Sequence, residues 1–295
     1  MIRRLIIACL AALALSACEG PDTGRASDQA VTPLLWEIAS DDGEIEGWLY
    51  GTIHALPDGV EWRGGSVETV IASADYLVVE VAALEDRAAL SRAFTRLAHS
   101  PGHPLLAERV DPALRDDLAG LMERAALDPD DYRTVESWGA ALMLAQSVRG
   151  GLKSENGVDK ALIRAFAGRE VRQLEGAERQ FRIFDSLAES DQRAMLDAVV
   201  QQAREEGNDA PRAARFWMEG DAEALEAETR QGILADPEVR SALLVRRNAD
   251  WAGRIGRLLA RQDRPLIAVG AAHLVGPDGL VALLERQGLT LRRLR

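Results

Sequence analysis

Cysteine is nearly absent from these 295 residues, with two copies, Cys9 and Cys18, both close to the start. The chain from Thr32 onward therefore has no disulfide, no thiolate metal ligand and no thiol nucleophile, and a hydrophobic core has to hold it together. The roughly 260 residues from there on are enough for one such core. Histidine is scarce too, at four, and aromatics make up 5%. So few rings argue against a stacking platform for sugars or bases; Trp48, Trp62, Trp138, Trp217 and Trp251 read mainly as core. Basic residues are in deficit, 35 against 47 acidic, for a formal charge of −12. No basic stripe interleaved with aromatics is visible, and Arg292-Arg293-Leu294-Arg295 is too short to supply one, which excludes nucleic acid as a partner. Also missing are a Gly-x-Ser-x-Gly elbow, a P-loop, a Gly-x-Gly-x-x-Gly after a strand and a His-Glu-x-x-His pair.

The longest apolar run, Leu5–Leu15, is too short to span a bilayer with stable flanks. It follows Arg3 and Arg4 and ends in Leu15-Ser16-Ala17-Cys18, which reads as a lipobox. Residues 1–17 are expected to be a lipoprotein signal peptide and Cys18 the lipidated residue. Residues 18–31, poor in large apolar side chains, form a flexible tether. Loss of Arg3 and Arg4 with the signal leaves the mature chain two units more negative. The expected location is the bacterial cell envelope, facing the periplasm, with the membrane touched through the anchor only. Glu19 after the cysteine is not the aspartate of inner-membrane retention, which favours the outer membrane.

What the chain does have is a degenerate repeat. Gly51-Thr52-Ile53-His54 and Gly270-Ala271-Ala272-His273 each end an apolar, strand-like run. Each is followed by Pro-Asp-Gly (Pro57-Asp58-Gly59, Pro277-Asp278-Gly279), a helical stretch and another strand. Two such units packed side by side would put both histidines at one sheet edge, where open α/β sheets place their ligands.

The coarse pattern is helix-rich α/β. Leu34–Ala39 and Trp48–Ile53 alternate like a hairpin about an acidic turn, and Tyr76–Val81, Glu170–Leu174, Pro265–Val269 and Leu289–Leu294 each follow a helical pattern. That order predicts a central, largely parallel sheet with an N-terminal hairpin. Asp111-Pro112, Asp128-Pro129 and Asp236-Pro237 mark helix starts, and Asn156-Gly157 a turn before the helix at Val158-Asp159. Residues 32–295 read as one domain with a helical insertion over approximately 86–260.

Several marks of this sequence resemble the TraB/GumN family: Leu49-Tyr50-Gly51-Thr52-Ile53-His54, Val79-Glu80, Trp138, Gly157-Val158-Asp159, Leu174-Glu175, Trp217 with Gly220-Asp221, Arg247-Asn248 with Trp251, and Gly270-Ala271-Ala272-His273. That family includes the TIKI metalloproteases and the plasmid-pheromone shutdown proteins, and is distantly similar to erythromycin esterases and haem-binding ChaN lipoproteins. The resemblance implies a peptidase-like hydrolase using Mn²⁺ or Co²⁺, or a lipoprotein that binds metal, haem or peptide without turnover.

The residues themselves suggest a parallel chemistry. Two imidazoles and a carboxylate at one sheet edge make a ligand set with open positions, so His54, His273 and Glu80 are the metal candidates, for Zn²⁺ or Fe²⁺ as well. A bound dication would activate water against a peptide or small carbonyl substrate. The erythromycin esterase resemblance suggests a metal-independent scheme, with His54 as base, Glu80 orienting it, and His273 with Arg247 stabilising the oxyanion. Gly51 and Gly270 would let the backbone turn and substrate approach, with Asn248 and Glu175 as support. Asp159 reads as a helix-start residue, and His99 and His103, separated by Ser100-Pro101-Gly102, as loop.

Overall fold

The computed structural model describes residues 31–147, 151–206, 212–261 and 263–295. The segments expected to be signal peptide and tether, with Cys18, lie outside the described residues as far as residue 30. Among the described residues no helix is long and apolar enough to cross a membrane.

Six strands form one sheet: β1 (Leu35–Ala39), β2 (Ile45–Thr52), β3 (Tyr76–Val79), β4 (Val171–Gln173), β5 (Pro265–Gly270) and β6 (Thr290–Leu294). Their order is β4-β3-β5-β2-β1-β6. β4, β3, β5 and β2 pair in parallel, while β1 runs against both β2 and β6. The parallel expectation holds for the centre, and β1 is the one reversed strand. The strand foreseen over Tyr76–Val81 stops at Val79, so Glu80 stands just past its carboxyl end. All four residues of β3 are buried, as a strand covered on both faces requires.

The repeat units meet as the sequence implies. β2 and β5 lie side by side with Thr52 opposite Gly270, so both Gly-x-x-His steps leave the same sheet edge. From β2 the chain passes through the Ser66–Ser73 helix to β3, beyond β5; from β5 it passes through the Leu280–Glu285 helix to β6, beyond β2 and β1. Connections departing in opposite directions from neighbouring parallel strands open a crevice outside their carboxyl ends.

Two apolar cores support this edge. One packs on the sheet around Tyr50, Val78, Ile267, Trp217 and Trp251. The other lies wholly within residues 81–243 and centres on Phe94, Trp138, Phe181 and Leu196. The helix begun at Asp236, whose carboxylate caps the Glu238 and Val239 amides, passes through a π-helical turn at Ser241–Val245 before continuing as Arg246–Leu259.

Candidate functional site

Arg247, two residues past the π segment, is the centre of the site. Its Nη2 donates to Glu80 Oε2 (2.8 Å) and Glu175 Oε2 (3.0 Å), its Nε to Glu175 (3.1 Å), and its Nη1 to Leu243 O (2.8 Å) and His273 Nε2 (3.1 Å). A guanidinium has five N–H groups, and these contacts use all of them. The Leu243 carbonyl lies within the π turn, a feature common at functional positions. Burial alone would destabilise the guanidinium charge, but the two carboxylates win and raise its pKa further. Glu80 shows the same balance: burial pushes its pKa up, while Arg247 and the nearby imidazoles bring it down to about 2. Its Oε1 accepts the Gly270 amide (2.8 Å), and Gln180 Nε2 donates to Oε2 (3.1 Å).

The two histidines, alike in sequence, are set up differently. His273 is buried, with its ring 4.5 Å from that of Trp251. Because an arginine can only donate, Nε2 is an acceptor and the proton sits on Nδ1, which donates to Asn248 Oδ1 (2.6 Å). Asn248 Nδ2 in turn donates to the Asp278 carbonyl in the second Pro-Asp-Gly loop (2.8 Å). Burial, helped by the Arg247 charge, holds the His273 pKa down to about 3, so the ring is neutral. His54 has a side chain 49% exposed. Its Nδ1 donates to Asp159 Oδ2 (2.8 Å), and Asp159 Oδ1 accepts from Thr52 Oγ1 (2.5 Å). That fixes Nδ1 as the protonated nitrogen and turns Nε2 toward the β5 end.

Convergence is close. A Cβ placed on Gly270 would lie 3.3 Å from Glu80 Oε1, 3.7 Å from His273 Cδ2 and 4.0 Å from His54 Nε2. Gly51 packs against Ala271, and its carbonyl accepts the Trp217 indole N–H (2.7 Å). A cleft of ≈ 440 Å³ opens over this floor, lined by His54, Glu80, Arg247 and the Gly270–His273 turn.

The supports repeat as well. In the first unit Asn156 Nδ2 donates to Asp58 Oδ1 (2.9 Å) and Lys153 pairs with Asp58; in the second, Asn248 holds the Asp278 carbonyl and Arg240 pairs with Asp278 (3.1 Å). One amide and one cation brace each Pro-Asp-Gly loop.

A comparison with known protein families matches residues 34–293 to the TraB/PrgY/gumN family. The chain belongs to it. Neither a curated protein nor a solved structure matches this TraB/PrgY/gumN chain. Of the residues singled out in the sequence, His54, His273, Glu80, Arg247, Asn248, Glu175, Gly51 and Gly270 do gather at one edge. His99, bonded to Thr134, and His103, bonded to Ser100, stand apart from the cleft.

Two roles differ from expectation. Asp159, not Glu80, holds His54 Nδ1, because the Val158–Ala165 helix begins directly beneath Ile53, whose carbonyl accepts the Val158 amide (2.9 Å). His273 presents no N–H to the cleft, so it cannot donate to an oxyanion. Gln180, which donates to Glu80, carries no signal in the sequence, being one glutamine on a charged helix.

The dication expected between His54, His273 and Glu80 would share two of those ligands, His273 and Glu80, with Arg247. Among the described residues no group of three His, Cys, Asp or Glu side chains is arranged to hold a metal. The reason is chemical: Glu80 Oε2 and His273 Nε2 both face the Arg247 guanidinium, and a dication there would lie against a buried positive charge.

Proposed function

We propose that this TraB/PrgY/gumN protein is a hydrolase of carbonyl substrates whose general base is His54, anchored to the bacterial envelope through Cys18. The observation that carries the reading is the Asp159–His54 pair, with Nε2 turned toward Gly270 and the polar floor. A carboxylate on Nδ1 sets the tautomer in which Nε2 accepts a proton and stabilises the imidazolium that results. In the reaction, Nε2 takes a proton from water as the water oxygen bonds to the carbonyl carbon; when the tetrahedral intermediate collapses, that proton passes to the leaving group. Glu80, Glu175, Arg247 and His273 fix the shape of the floor, in which two carboxylates share one guanidinium.

The test is hydrolysis of p-nitrophenyl butyrate by the full chain, with and without chelator, beside His54→Ala. Chelator-insensitive turnover that disappears in the variant supports the reading. Loss on chelation with recovery on adding Mn²⁺ or Co²⁺ would replace it with the metal-dependent scheme, and tight ligand capture without turnover with a binding lipoprotein.

A further inference from the structure

The cleft has two unlike walls. The floor is the polar sheet edge, and facing it are Leu142, Phe184, Leu234, Leu243 and Leu244, all from the helical insertion. Leu142, Phe184 and Leu234 are only part-buried, so they offer apolar surface to whatever enters. Electrostatics narrow the choice of ligand. Glu80 and Arg247 are the charged acid and base of the lining among the described residues. Arg247 is matched by Glu80 and Glu175, Asp159 adds a third carboxylate beneath His54, and no N–H of the guanidinium is left over. An anionic substrate would meet an excess of carboxylate and find no donor to pair with.

We propose that the substrate is a neutral ester or amide whose acyl part is apolar and packs on the Leu142–Phe184–Leu234 wall, with its carbonyl over the floor beside His54. This rests on the hydrolase reading for the carbonyl and on the wall alone for the apolar part. The ≈ 440 Å³ cleft is of a size that takes small ligands. Each methylene that reaches the wall should raise kcat/KM about fourfold until the wall is covered.

The experiment uses the full chain and p-nitrophenyl acetate, butyrate, hexanoate and hemisuccinate, the constant leaving group isolating the acyl portion. The rate should climb with chain length and fall well below the butyrate value for hemisuccinate; Leu142→Lys should lower hexanoate turnover and raise hemisuccinate turnover. A parallel binding arm follows tryptophan fluorescence, since Trp217 lines the cleft, on titration with hexanamide, succinamate and 6-aminohexanamide. Hexanamide should bind most tightly. Indifference to chain length, or a preference for hemisuccinate, overturns the proposal. If no ester is hydrolysed, the hydrolase reading fails by itself and the binding arm decides: hexanamide binding upholds the apolar class, whereas tighter binding of either charged amide, or of none, removes it.

Discussion

Arg247 Nη1 donates to His273 Nε2 over 3.1 Å, making the second repeat histidine the acceptor of a buried cation. The same guanidinium bridges to Glu80 and Glu175, so one positive charge ties the ends of β3, β4 and β5 together.

Removing that charge should be costly. Arg247→Met leaves two buried carboxylates without their countercharge, and the expected loss is about 3–5 kcal/mol in urea unfolding. Adding Glu80→Gln and Glu175→Gln to it should recover much of this, because neutral amides can be buried with hydrogen bonds.

His54→Ala and Asp159→Asn should each lower kcat/KM for an ester by about 10²–10⁴. His54 is half-exposed, so its variant should keep the parent Tm. Asp159→Asn also weakens the bond from Thr52, and its Tm should drop by a few degrees.

Glycine replacements separate stability from activity. A Cβ at Gly157 would stand 2.3 Å from the His54 carbonyl oxygen, which is backbone and cannot step aside. Gly157→Ala should therefore cost about 1–3 kcal/mol and displace His54. At Gly270 the nearest atom is Glu80 Oε1 at 3.3 Å, so Gly270→Ala should fold near normally yet lose activity, its methyl standing between Glu80 and the imidazoles.

Acid should destabilise the fold in a defined window. The His273 pKa lies at about 3 against an ordinary 6.5, so the unfolded chain binds the extra proton between those values. Its contribution is complete above pH 6.5 and is lost as the pH falls toward 3. Glu80, lowered from 4.5 to about 2, adds a second loss that begins below 4.5. In a Tm-against-pH series His273→Asn should remove the upper part of the decline and keep the lower.

Much of this was legible before the fold. The matched Gly-x-x-His and Pro-Asp-Gly steps predicted adjacent strands, and Thr52 does lie opposite Gly270. The N-terminal hairpin expected from the sequence is present, but strand order follows from crossovers that local patterns do not encode, so the place of β6 beside β1 became visible only in three dimensions. The partner of His54 was hidden for a similar reason: Asp159 is more than a hundred residues away, and a helix-start aspartate commonly caps. The division of labour between the histidines was hidden most deeply, since it depends on Arg247 reaching His273 while Asp159 holds His54.

The decisive measurement is the ¹⁵N-imidazole spectrum of the two histidines between pH 5 and 8, with and without stoichiometric Zn²⁺. His273 is expected to remain neutral with its proton on Nδ1 throughout, unmoved by zinc. A His273 signal that titrates near pH 6.5, carries its proton on Nε2 or shifts when zinc is added would contradict a site built around arginine.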